Sequence, residues 1–169
     1  MKYLIFSDSH RSTFNMKSVI DRQSGDIDGV IHLGDLYEDA ELLMELYPRL
    51  TFHAVTGNCD LSTRYIGGGL DEKIIDVGGF RILLVHGHRQ MVKSTFSVLE
   101  AYAREKGVDA VLFGHTHERY ERYIGEGDKS LYMFNPGSVS KPGSGEPSFG
   151  VLTVEKGQIL FSHGDVYLR

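Results

Sequence analysis

A chain of 169 residues, 41% hydrophobic and 24% charged, suits one globular domain spanning residues 1–169 and is too short for two ordinary ones. Its longest apolar runs, such as Val108 to Phe113, are far too short to span a bilayer, so no membrane partner is expected. A formal net charge of −5 with scattered Lys and Arg excludes general nucleic-acid binding, because affinity for a phosphate backbone needs clustered cations.

Lys2 to Ser7 reads as a buried strand, without the apolar stretch and cleavage site of a secretory signal. With Cys59 as the sole cysteine, no intramolecular disulfide can form, and a reducing, cytoplasmic location is expected. Thr13 to Gln23 has the spacing of a helix with Phe14, Met16, Val19 and Ile20 on one side, stopped by Gly25. A strand at Gly29 to Leu33, a helix from about Glu38 to Tyr47 closed by Pro48, and a strand at Thr51 to Val55 continue the alternation of parallel βαβ units.

Then the pattern changes. Lys73 to Val77 and Phe80 to Val85 flank Gly78-Gly79, the signal of a two-residue hairpin. A helix from about Ser94 to Lys106 leads into a strand at Ala110 to Phe113. Short β segments come next at Tyr120 to Ile124, Leu131 to Phe134, Phe149 to Val154 and Ile159 to Ser162, with Lys141 to Pro147 as a loop. The expected architecture is an α/β, two-sheet β-sandwich flanked by helices, combining βαβ units with antiparallel strands. Tyr132, Phe134 and Phe161 belong to the core by default, and a homo-oligomer stays open.

Five polar motifs each come after an apolar run: Asp8-Ser9-His10, Gly34-Asp35, Gly57-Asn58, His86-Gly87-His88 and Gly114-His115-Thr116-His117. Side chains at strand ends sit on rigid scaffolding at a sheet edge, where open α/β proteins place ligands. Carboxylate, imidazole and amide groups suit divalent first-row metals, and a two-metal site needs a bridging group. Asp35, with Gly34 allowing close approach, is the candidate bridge; Asp8 and His10 are placed to grip one ion.

This set of motifs resembles the calcineurin-like metallophosphoesterase superfamily, and in size its small bacterial and archaeal phosphodiesterases, which share their fold with the retromer subunit Vps29. The likeness covers essentially the whole chain, including Asn135-Pro136-Gly137-Ser138. It implies that Asp8, His10 and His117 hold one metal, that Asn58, His86 and His115 hold the other, and that Asp35 bridges them. It also implies hydrolysis of phosphoesters, foremost phosphodiesters, by a hydroxide that two metals activate, with Asp35, Asn58 and His86 as the catalytic positions and a small phosphoester as substrate. Mn²⁺ is the expected ion, with Ni²⁺, Fe²⁺, Zn²⁺ or Mg²⁺ as alternatives.

The chain departs from larger relatives at Cys59, where they carry histidine beside the leaving oxygen; small relatives tend to have cysteine. A thiol is a poor substitute for an imidazole as a general acid. Read without the family, Cys59 is a buried small hydrophobe, His32 and His53 are packed strand histidines, and His88 and Arg11 are surface residues. Gly67-Gly68-Gly69 lacks the Lys-Ser/Thr ending of a phosphate loop and reads as a connection. The alternative function is a Vps29-like scaffold that binds metals and protein partners, against which the full set of seven ligand types argues.

Overall fold

Near-continuous runs of Val, Ile, Leu and Phe make strands that are buried on both faces and need a covering layer on each side. The computed structural model describes every residue except 24, 61–68, 126–129 and 168–169, so Gly67 and Gly68 of the expected connection lie outside the described residues. The chain runs β1 (Lys2–Phe6), α1 (Thr13–Gln23), β2 (Gly29–His32), α2 (Tyr37–Leu46), β3 (Thr51–Ala54), β4 (Glu72–Val77), β5 (Phe80–Val85), α3 (Ser97–Glu105), β6 (Ala110–Leu112), β7 (Arg119–Ile124), β8 (Leu131–Pro136), β9 (Ser148–Glu155) and β10 (Gln158–Asp165). They form two five-stranded sheets, ordered β10-β9-β1-β2-β3 and β4-β5-β6-β8-β7.

Both sheets are mixed. β1, β2 and β3 are parallel, as are β5, β6 and β8, while β9, β10, β4 and β7 add antiparallel edges. In the β4–β5 hairpin Gly78 and Gly79 have φ of 60° and 90°, the left-handed pair that a tight turn matching strand twist requires.

Period-two alternation sorts the side chains into three apolar layers. Tyr3, Ile5, Ile31, Ile82, Leu84, Leu112, Phe134 and Phe161 meet between the sheets. Leu4, Phe6 and Val30 face outward onto Met16, Val19 and Ile20 of α1 and Leu43 of α2. Leu83, Val85 and Val111 face the other way onto Leu99 and Ala103 of α3. The helix-flanked two-sheet sandwich expected from the sequence is therefore present, with Phe134 and Phe161 in its core.

Two local expectations are corrected. Phe14 is 76% exposed, and Asn15 takes the buried position beside Met16, its amide donating to the Val139 carbonyl at 2.8 Å. α3 begins at Ser97 instead of Ser94 because the Thr95 hydroxyl accepts the Ser97 backbone N–H at 3.2 Å, which holds the preceding segment in turns.

Phe134 is fully buried between the sheets and stacks on Phe161 and His163 at centroid distances of 5.0 and 4.5 Å. Phe134→Ala is expected to lower unfolding free energy by ~3–5 kcal/mol in urea titrations, whereas a loss under ~1 kcal/mol would show the inter-sheet core collapsing freely around the gap.

Candidate metal centre

Parallel strands that end level with one another deliver their succeeding loops to one rim. The parallel pairing ends at Phe6–His32–Ala54 across β1, β2 and β3 in one sheet and at Leu84–Leu112–Phe134 across β5, β6 and β8 in the other. Asp8 and His10 come after β1, Asp35 after β2, Asn58 after β3, His86 after β5, and His115 and His117 after β6. All seven sequence-nominated residues meet in the seam between the two sheets. Asp8, His10 and His117 form one group with donor atoms within 4.8 Å of one another; Asp35, His86 and His115 form a second. Asn58 joins the second through its Oδ1, 3.2 Å from His86 Nε2.

The two carboxylates are buried, each with one oxygen held by the protein. Asp8 Oδ2 accepts the Ser7 hydroxyl at 2.6 Å and the His115 backbone N–H at 3.1 Å. Asp8 Oδ1 is buried, accepts no hydrogen bond, and points at His117 Nε2, 3.2 Å away. Asp35 Oδ1 accepts the Cys59 backbone N–H at 2.9 Å, leaving Oδ2 3.5 Å from His86 Nε2.

The imidazoles are aimed from behind by main-chain carbonyls. His86 Nδ1 donates to Leu33 at 2.7 Å and His117 Nδ1 donates to Lys141 at 2.6 Å. A neutral ring that donates from Nδ1 carries its lone pair on Nε2, so both lone pairs face the cleft. His86 Nε2 then meets Asn58 Oδ1 and Asp35 Oδ2, while His117 Nε2 meets Asp8 Oδ1 and lies 3.4 Å from His10 Nε2. Acceptors face acceptors. A proton relieves one such meeting; a divalent cation relieves several at once, and the mix of oxygen and imidazole donors is one that first-row divalent metals favour.

The electrostatics agree. Burial opposes the charge on Asp8, yet the adjacent His117 and His86 and the Ser7 hydroxyl hold its carboxyl below the ordinary range. Burial likewise opposes the charge on Asp35, and His86 and the Cys59 backbone outweigh it. His86, though buried, is raised by Asp35 and Asp8, and His117 is raised by the adjacent Asp8 carboxylate. His115 is pushed down to about 4 by burial, His86 and Lys93, so it stays a neutral donor.

Several residues that hold this arrangement escape a reading of motifs. Asp60 is buried and accepts the backbone N–H of Asp35, Gly57 and Tyr37 at 3.0, 2.6 and 2.8 Å, tying the loops after β2 and β3 to the start of α2. Asp39 accepts the Ser9 hydroxyl and the Arg11 backbone N–H, and Ser9 in turn contacts His32 Nε2 at 3.1 Å. Ser138 and Ser140 both donate to the Asp8 carbonyl, and Asn135 donates to Gly114. The signals in the sequence were faint: Asp60 stands two places after Asn58, and Asn135 and Ser138 belong to the Asn-Pro-Gly-Ser stretch.

Backbone strain gathers at the same place. Asp8, His10, Asp35, His115 and His117 have φ between 44° and 68°, five of the eight non-glycine residues with positive φ among those described. Such conformations cost energy and persist only where surroundings fix them. A side chain at Gly57 would strike the Asp35 carboxylate, and one at Gly114 would strike Ser7 and Asp8.

Cys59 is exposed, which corrects the expectation of a buried small hydrophobe. Its thiol accepts the Asn58 side-chain amide at 3.4 Å, which turns Asn58 Oδ1 toward His86. Partial desolvation and the Asp35 carboxylate push the thiol up to about 11. The His88 ring stands 5.5 Å from His86 and 6.1 Å from His115, beside the cleft.

The calcineurin-like phosphoesterase superfamily domain matches residues 1–157. A probable metallophosphoesterase of Bacillus subtilis, YsnB, is 32% identical over 157 residues, covering 92% of this chain and 85% of that protein. A phosphodiesterase of Methanocaldococcus jannaschii is 28% identical over 169 residues, covering 92% of this chain and 95% of that one. Among solved structures, wild-type Vps29 of Entamoeba histolytica complexed with zinc superposes with a TM-score of 0.71 at 26% identity, over 99% of this chain and 100% of that one. A family domain that matches residues 1–157, together with a relative 32% identical over 92% of the chain, means that this chain belongs to the calcineurin-like phosphoesterase superfamily.

Proposed function

We propose that residues 1–169 act as one phosphoesterase domain that hydrolyses phosphodiesters at a centre for two divalent cations, Mn²⁺ foremost. The observation that carries this reading is the approach of carboxylate oxygens to imidazole Nε2 atoms whose Nδ1 partners already donate to the main chain, above all the buried, unpartnered Asp8 Oδ1 against His117 Nε2, and Asp35 Oδ2 against His86 Nε2. Asp8, His10 and His117 would hold one cation, Asn58, His86 and His115 the other, and Asp35 would serve both. When bound, such ions supply hydroxide at neutral pH and offset charge on the phosphoryl oxygens.

The protein's own groups position and exclude. The carbonyls of Leu33 and Lys141 fix which imidazole nitrogen faces the substrate, and Asn58 presents its oxygen because Cys59 holds its amide. At the leaving oxygen the nearest counterpart of the missing imidazole is a thiol near pKa 11, a weak proton donor at neutral pH.

A scaffold role is the second reading, favoured by the superposition on Vps29. A complete ligand set does not separate the two readings, since that Vps29 is itself complexed with zinc. Turnover separates them.

Protein stripped of metal and reloaded with Mn²⁺, Ni²⁺, Zn²⁺ or Mg²⁺ is expected to bind two equivalents and cleave bis-p-nitrophenyl phosphate, with Asp35→Asn slower by on the order of 100-fold. Two bound equivalents with no turnover under any metal would favour the scaffold. An unactivated alkyl diester should be cleaved ~10²–10⁴-fold more slowly than the aryl diester, and equal rates with chemistry rate-limiting would refute the role given to Cys59. Metal affinity should fall as pH drops from about 8 to about 6, by tenfold or more, because His86 and His117 are raised and must give up protons to bind a cation. Calorimetric titration checks this, and a flat profile would mean that neither imidazole is a ligand.

A further inference from the structure

A cleft of about 550 Å³ lies between residues 92–96 and residues 116–120. Thr116, which lines it, stands between His115 and His117 in the chain, so the cleft adjoins the turn that carries both imidazoles. Its wall carries an aromatic pair, Phe96 and Tyr120, with ring centroids 4.2 Å apart. Phe96 packs in turn on Phe113, 5.5 Å away, and Phe113 immediately precedes the Gly114-His115 turn. The aromatic wall is thus anchored to the strand that delivers two of the imidazoles.

The charges on this wall are unequal in their commitments. Arg119 is paired with Asp165, and the Glu118 side chain lies against Gly143. Lys93 lines the same cleft, one residue from Val92 and three from Phe96 along the chain. An aromatic pair on the wall of a cleft that also presents a lysine suits an anion that carries a ring.

We propose that this cleft is the subsite for an aromatic ester arm of the substrate, with its ring against Phe96 and Tyr120 and a phosphoryl oxygen facing Lys93. The assignment rests on the phosphoesterase reading and extends it to a substrate class, aryl or other ring-bearing phosphoesters. Lys93 and Tyr120 are then specificity-determining residues.

The test is a titration of the ¹⁵N-labelled, zinc-loaded protein with phenylphosphonate and, separately, methylphosphonate. Phenylphosphonate is expected to bind about fivefold or more tightly, with amide shifts in residues 92–96 and 116–120. Lys93→Met should weaken both ligands, while Tyr120→Leu, which keeps apolar bulk, should bring the two affinities together. Equal affinities in the unmodified protein overturn the assignment. So do shifts confined to the separate cleft along residues 70–72 and 86–90. The titration needs no turnover, so an inactive protein that prefers phenylphosphonate here would remove the phosphodiesterase reading and keep the subsite.

Discussion

Two carboxylates buried in the seam between two sheets set the terms for everything around them. A carboxylate removed from water needs hydrogen bonds and a neighbouring positive charge, and Asp8 and Asp35 each have only one oxygen provided for by the protein's N–H and O–H groups. The remaining oxygens look into a space ringed by imidazoles whose lone pairs also point inward. The fold thus concentrates electron pairs where a globular core would ordinarily hide them, and the raised His86 and His117 are the effect of that concentration on nearby protons.

Holding that arrangement requires a backbone that would not choose its own conformation. Left-handed residues at Asp8, His10, Asp35, His115 and His117 each give up local stability, and the loss is offset by bonds from elsewhere in the chain. Asp60 fastens the Asp35 and Gly57 loops, and Ser138 and Ser140 fasten Asp8 from the far end of the sequence. These side chains do none of the proposed chemistry, yet the geometry of the candidate ligands depends on them.

The contrast between features legible and illegible in the sequence is one of range. Continuous apolar runs announced strands buried on both faces, and Gly78-Gly79 announced its hairpin, because those signals are local. The five polar motifs were legible because each stands just beyond a strand, and the resemblance to the family named the seven candidate ligands among their residues. Phe14 was misplaced by helical periodicity alone, and the α3 start was set by one hydroxyl at Thr95 that competes with the helix. Asp60 and Asp39 were invisible as supports, since all their partners but Gly57 lie 23 to 30 residues away and are backbone amides and a hydroxyl that carry no motif.

The two proposed ligand groups each draw on both sheets: Asp8 and His10 from one and His117 from the other, Asp35 and Asn58 from one and His86 and His115 from the other. Ions seated there would act as rivets across the sandwich, and their grip would depend on how the sheets are seated on each other. The inter-sheet layer around Ile5, Leu84 and Phe134 is therefore part of the metal-binding apparatus in a mechanical sense. A methyl lost deep in that layer would register at the rim as a looser hold on metal, with every ligand still in place.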